Sequence, residues 1–150
     1  MKPRIPPILY VFLFAALMYL LDRLLPFGDF DFFGREWLIW ALGIAAMLII
    51  LVALIQFIAA RTTIDPGLKS RTRVLVTWGI YHYSRNPMYL AMLLLLLAWG
   101  LYLGNAFNTL LAALFVGCMN RFQIRHEEAV LLQLFGKAYQ TYCIQVRRWF

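Results

Sequence analysis

Charge is scarce in this sequence. Only 14% of the 150 residues are Asp, Glu, Lys or Arg, against 63% hydrophobic, and the mean hydropathy is +0.73. A soluble domain carries about 25% charged residues, so an ordinary water-facing globule is excluded. Acids are scarcer still, 7 against 14 bases, for a net charge of +7. Such an excess suits a nucleic-acid surface, but these bases fall between apolar runs, a placement that reads as membrane topology instead, with no nucleic-acid partner. The two cysteines, Cys118 in an apolar run and Cys143 further on, are too few for a disulfide framework and have no metal spacing. They read as free thiols that pack. Of the two histidines, His126 starts His126-Glu127-Glu128, but position 130 is Val130, so the zinc pattern is missing and no metal is expected. His82 is an isolated interfacial histidine, a type usually tolerated there without a catalytic task. No nucleophile elbow, phosphate loop or GxGxxG occurs. Gly43, Gly100, Gly104 and Gly117 read as helix-packing residues.

Long apolar runs fill the space those absences leave. The first runs from Ile8 to Leu25, enough to cross a hydrocarbon layer of ~30 Å at ~1.5 Å per residue. Lys2 and Arg4 ahead of it imitate a signal peptide. The run is too long and lacks a small-residue cleavage site, so a retained membrane helix is expected. Asp22 and Arg23 mark its far end, and Pro26-Phe27-Gly28 stops it. A short acidic loop from Asp29 to Glu36 carries Phe30, Phe32 and Phe33, and Trp37 and Trp40 open a second span that reaches Ala60. The third span is expected from Pro87 to Leu103. Gly104-Asn105 then reverses the chain into a fourth span from Phe107, the two forming a helical hairpin. Helical periodicity continues from Asn120 to Phe135, with Gly136 as its stop. An amphipathic piece follows, carrying Tyr139, Tyr142 and Val146 on one side and Arg147-Arg148 at its end. The expected fold is all-α: one integral-membrane domain over 1–150, with about four transmembrane helices and cytoplasmic C-terminal helices. Lys and Arg gather before the first span, in 61–85 and in the last segment. The positive-inside rule therefore puts both termini, and any chemistry, on the cytoplasmic side.

The connection 61–85 is the first place to look for function. At about 25 residues it is long for a simple link between helices, with Pro66-Gly67 as a turn and Val74-Leu75-Val76 as a small apolar patch. It ends in Gly79-Ile80-Tyr81-His82-Tyr83-Ser84-Arg85-Asn86-Pro87-Met88-Tyr89. Asn86 suits an N-cap and Pro87 a first helical position, so backbone N–H groups open onto this point, an arrangement that favours an anion. Tyr81, Tyr83 and Tyr89 add flat rings on which a base could stack. The same residues also suit an ordinary helix start at a membrane interface.

A second group of polar residues lies on the helix after 120: Arg121, Gln123, Arg125, His126, Glu127 and Glu128. Adjacent helical residues point about 100° apart, so only one glutamate can face a given site. Glu127 shares a face with Ile124, Leu131 and Phe135, and is the better ligand candidate. Glu128 lies with Arg121 and Arg125, and an ion pair to Arg125 accounts for it. A solvated ion pair would equally account for Glu127.

Taken together, Gly79-Ile80-Tyr81, Arg85-Asn86-Pro87-Met88-Tyr89, Glu127-Glu128, Phe135-Gly136, Tyr139, Tyr142 and Val146-Arg147-Arg148 resemble the isoprenylcysteine carboxyl methyltransferase family, which belongs with the phospholipid N-methyltransferases. The likeness covers roughly Thr72 to the end. It implies an S-adenosylmethionine-dependent membrane methyltransferase, S-adenosylhomocysteine as product, and a cofactor-binding half at about 72–150. The cofactor residues it implies are Arg73, Val74, Leu75, Val76, Tyr81, Asn86, Pro87, Met88, Tyr89 and Glu127. It further implies Arg121, Gln123 and Arg125 on the acceptor side, with Arg125 and Glu127 as the catalytic pair. Two positions depart from the family pattern: Asn86 stands for its histidine and cannot act as a base, and Gln123 stands for a substrate-side arginine that Arg125 replaces.

The reaction implied is in-line methyl transfer to a lipophilic or prenylated acceptor that arrives from the bilayer, a process that depends mainly on placement. An ionised carboxylate needs no base, whereas an amine must first lose a proton, so carboxylate O-methylation is favoured. The alternatives are a phospholipid N-methyltransferase, an NADPH-dependent sterol-reductase-like enzyme, and a small multidrug-type transporter. The last normally needs an acid inside a span, and Asp22 sits only at a span end.

Overall fold

A computed structural model of the chain describes residues 5–25, 28–60 and 74–150. All regular elements among them are helical: α1 Pro7–Leu24, α2 Arg35–Ala59, a 3-10 turn Gly79–His82, α3 Pro87–Leu103, α4 Asn108–Cys118, a π-helical turn Met119–Ile124, α5 Arg125–Phe135 and α6 Lys137–Gln145. The all-α expectation holds for these residues. α1, of 18 residues, and α2, of 25, are long and apolar enough to cross a bilayer, and α3 is a shorter apolar helix. Their starts follow from local chemistry. Pro7 opens α1 and Pro87 opens α3, where a missing N–H costs nothing. Asn86 precedes α3, its carbonyl accepting from Leu90 N at 3.0 Å. Trp37 and Trp40 are exposed at the start of α2, as aromatic residues are at a membrane–water boundary.

Two compact units divide the chain, 1–46 with 92–119 and 47–91 with 120–150. In the first, the Phe14 ring meets Phe115 edge-on at 5.5 Å, so α1 packs on α4. Trp99 Nε1 donates to the Ala15 carbonyl at 3.1 Å. The Gly104-Asn105 reversal is present, with Gly104 at φ 81, a conformation glycine adopts without strain. It is held by Phe30 N to Gly104 O and Ala106 N to Gly28 O, both 2.9 Å. Of the glycines expected to pack helices, Gly100 does, since a Cβ there would meet the Asn108 Cβ at 3.1 Å. At Gly43 and Gly117 a Cβ would meet nothing within 4 Å among the described residues, which corrects the expectation for those two.

The second unit has two small cores. Ala53, Val76 and Tyr81 form one, with Phe57, Ile80 and Met88 against it. Tyr139, Tyr142 and Val146 form the other, covered by Leu75, Leu131, Phe135 and Cys143. The helical path continues through 120–135 as the periodicity required. The π-turn inside it was not legible beforehand. A π-turn widens the helix by one residue, and here Gln123 and Ile124, adjacent in sequence, are both buried while Phe122 and Arg125 stay exposed.

Candidate active site

The second unit brings the first turn of α3 to the first turn of α5. The Tyr89 hydroxyl donates to Glu127 Oε1 at 2.5 Å, and the Tyr89 ring is only 8% exposed. These residues stand 38 positions apart in sequence. Glu127 was singled out for its helix face, and this bond puts its carboxylate beside the Pro87 helix start.

The adjacent Glu128 makes a different set of bonds. Arg148 grips it with both arms of the guanidinium, Nε to Oε1 at 3.0 Å and Nη2 to Oε2 at 2.6 Å, and Arg85 Nη1 lies 3.3 Å from Oε1. The expected ion pair with Arg125 is therefore replaced. Arg125 points to solvent, whereas Arg148 offers a planar two-bond fork in a partly buried setting, the stronger arrangement for a carboxylate. That pairing keeps the Arg148 guanidinium protonated even above its ordinary range, its hydrogen bond to Glu128 outweighing the cost of burial.

The segment carrying Arg148 is fastened to the start of α3. Arg85 N donates to the Arg147 carbonyl at 3.0 Å, and the Asn86 side-chain amide donates to the Arg148 carbonyl at 2.9 Å. The Asn86 side chain thus ties two segments together. Trp149 Nε1 donates to Asn120 Oδ1 at 3.1 Å, and Arg85 Nη1 also donates to the Cys143 sulfur.

Behind these groups lies a strut. The Tyr142 hydroxyl donates to the Tyr81 carbonyl at 2.5 Å, holding α6 to the 3-10 turn. The Tyr81 ring packs edge-on against Phe57 at 5.3 Å. Burial pushes the phenols of Tyr81, Tyr139 and Tyr142 well above the usual tyrosine range. All three stay neutral and none is placed to act as a base. The turn itself depends on Gly79, at φ 64, because a Cβ there would run into the Gln56 side-chain amide. Gln56 is buried on α2, and its Oε1 has no partner among the described residues.

The sequence-derived residues therefore fall into four groups. Tyr81, Asn86, Pro87, Met88, Tyr89 and Glu127 all lie in the second unit, Tyr89 and Glu127 in direct contact. Of the apolar patch, Leu75 covers the tyrosine core and Val76 joins the Tyr81 core, while Val74 is exposed. Gln123 is buried and Arg121 and Arg125 are exposed, so these three do not share one surface. Arg73 lies outside the described residues. Sequence reasoning missed the roles of Arg85, Glu128, Arg148 and Gln56. Gln56 did carry a signal, being a lone amide in an otherwise apolar stretch of α2, where a polar side chain is rarely without purpose.

A half-buried carboxylate, a tyrosine hydroxyl and a partly buried arginine at a helix start can hold a small zwitterion. Among the described residues no group of His, Cys, Asp and Glu could hold a metal. A model of the phospholipid methyltransferase family matches residues 37–138, about two thirds of the chain. An uncharacterised protein of Haemophilus influenzae is 48% identical over 62 residues, 41% of this chain and 98% of that protein. The protein-S-isoprenylcysteine O-methyltransferase of Schizosaccharomyces pombe is 36% identical over 74 residues, 49% of this chain and 31% of that enzyme. The match thus spans about a third of the enzyme's length. No solved structure matches the chain. By class this is a membrane methyltransferase. The chain belongs to the phospholipid methyltransferase family.

Proposed function

We propose that the chain transfers a methyl group from S-adenosylmethionine to a lipophilic acceptor, with carboxylate O-methylation the favoured reaction. The observation that carries this reading is the Tyr89–Glu127 bond, which joins the two sequence segments that resemble the family's cofactor residues. The site's chemistry suits the cofactor's amino-acid end. The Glu127 carboxylate matches its ammonium group. Arg85 Nε, buried with no partner among the described residues, is a donor of the kind its carboxylate takes. Bound there, S-adenosylmethionine supplies an electrophilic methyl carbon on a sulfonium.

The residues of the chain hold and orient. Tyr89 fixes the Glu127 carboxylate, and the Arg148–Glu128 fork keeps Arg85 in position. Tyr142 steadies the Tyr81 turn. The three buried phenols keep their protons, so none of them serves as a base, and an acceptor that is already anionic needs none. A second reading, methylation of a phospholipid amine, draws on the family match itself. In either case one membrane domain spans the bilayer four times, α3 and the α4–π–α5 path joining α1 and α2. Both termini and the site face the cytoplasm, and the cofactor occupies the 72–150 half.

Labelled methyl transfer from S-adenosylmethionine, offered to prenylcysteine analogues and to a lipid extract, tests the reading. A methyl ester on the prenylcysteine supports it, a methylated amine lipid selects the second reading, and no transfer to either overturns both. Glu127→Ala should weaken S-adenosylhomocysteine binding by roughly tenfold or more, the scale of one lost charged hydrogen bond. Unchanged binding, measured by titration on folded protein, removes Glu127 from the site. Site-specific labelling of single cysteines placed beside each helix end tests the topology.

A further inference from the structure

The first unit contains a cavity of about 260 Å³ to which no residue of the site above contributes. Its wall is apolar, with leucines of α2 and α3 such as Leu42 and Leu97 supplying most of it. Its polar side chains are Asn105, Asn108 and Thr109. Two of these are committed to the backbone. The Asn105 amide donates to the Leu25 carbonyl at 2.9 Å and accepts from Phe107 N at 3.0 Å. The Thr109 hydroxyl donates to the Ala106 carbonyl at 2.7 Å. Asn108 differs from both. It is 2% exposed, and neither its Oδ1 nor its Nδ2 has a partner among the described residues. Its position is tightly built, because Gly100 lies opposite and a Cβ there would press on the Asn108 Cβ at 3.1 Å.

Buried side-chain amides are nearly always hydrogen-bonded. One with both donor and acceptor unmet, at the edge of an apolar space, suits a ligand whose polar end both donates and accepts. Water is a poor occupant, for a buried water needs two to four polar partners and most of this wall is apolar. The volume lies just under the range of ligand pockets, about 300–1,000 Å³, which suits one hydrocarbon chain and is too small for a two-chain lipid.

We propose that this cavity is a binding site for a single-chain lipid ending in a hydroxyl or a protonated carboxyl group. The leucines take the chain and Asn108 pairs with the polar end. The site is independent of methyl transfer and of the reading above.

The test uses the full chain in detergent and a photoreactive long-chain alcohol, with dodecanol, dodecanoic acid and dodecane as competitors. Labelling should concentrate on residues 38–42 and 96–101. Dodecanol, or dodecanoic acid at low pH, should compete about tenfold better than dodecane, the ratio one buried hydrogen bond supplies. Which of the two competes distinguishes the alcohol from the acid. Asn108→Leu should abolish that preference while dodecane competes as before, and Leu97→Trp should remove the labelling. Should Leu97→Trp fail to fold, Leu42→Phe fills the same space and carries the same expectation. Label spread evenly over the apolar helix faces, or a preference that survives Asn108→Leu, overturns the site.

Discussion

The two units are held together in different ways. In the first, apolar shapes meet: Phe14 sets its edge against Phe115, Met18 and Leu96 are buried, Gly100 makes room for Asn108, and the long-range bonds of Trp99 and Asn105 run to the backbone carbonyls of Ala15 and Leu25. In the second, polar bonds tie together residues far apart in sequence: Tyr89 to Glu127, Tyr142 to Tyr81, Arg148 to Glu128 and Asn86 to the Arg148 carbonyl. The difference has a physical source. Between helices in lipid the hydrophobic effect offers little, because hydrocarbon solvates an apolar side chain as well as a neighbouring helix does, and close packing must supply the association. A site for a charged ligand needs fixed dipoles and charges at set distances. Apolar packing constrains position less tightly than a directed bond does.

This contrast can be broken most severely at Gly79. Gly79→Ala forces a side chain onto left-handed backbone, about 1–2 kcal/mol, and drives its Cβ into Gln56, about 1–3 kcal/mol for overpacking. A loss of roughly 2–5 kcal/mol is expected by thermal unfolding in detergent. Hydrogen exchange should rise over 74–91 and stay unchanged over 92–119. Adding Gln56→Ala should recover the collision part and leave the backbone part. Failure to recover would mean that Gln56 is not what crowds the turn.

Glu128→Ala comes next. It leaves Arg85 and Arg148 without their shared carboxylate in a partly buried setting, at about 3 kcal/mol. The 146–150 segment should then exchange and be cut by protease more readily. A variant as protease-resistant as wild type would show that the Trp149 and Asn86 bonds hold the segment by themselves.

Phe115→Ala probes the first unit. Lipid takes up the exposed apolar surface, so mainly the cavity term remains, about 2 kcal/mol at ~24 cal/mol per Å³. Its effect should be insensitive to salt and confined in exchange to α1 and 92–119. An effect of equal size over 120–150 would show that the units do not respond separately.

Legibility in the sequence follows the same division. Pro87, Gly104 and Gly136 are local signals that act within a turn or two of themselves, and the helix bounds at those points match the expectation closely. The Tyr139, Tyr142 and Val146 face was likewise readable from helical spacing. The Glu128–Arg148 pair was not. Spacing along a helix names only neighbours three or four residues away, and this partner returns from 20 positions on. The π-turn escaped for a related reason, since whether Gln123 and Ile124 can both be buried depends on what surrounds them. Gly43 and Gly117 mark the opposite error: a small residue in an apolar helix invites a packing role, yet a Cβ at either would meet nothing within 4 Å among the described residues.

The smallest change is the one that best separates shape from bonding. Tyr89→Phe removes one oxygen and leaves the buried ring in place, so packing at the start of α3 is preserved while the bond to Glu127 is lost. A charge-assisted hydrogen bond of this type contributes about 1–2 kcal/mol. In a double-mutant cycle with Glu127→Gln, a coupling of that size in unfolding free energy is expected, because neither residue can make the bond alone. The same cycle read in S-adenosylhomocysteine affinity asks a separate question. If Tyr89 acts by orienting the carboxylate, the affinity lost in Tyr89→Phe should vanish once Glu127 is already Gln. Additive losses in affinity would mean that Tyr89 meets the ligand directly, and a stability coupling near zero would mean that this cross-link contributes nothing to holding the second unit together.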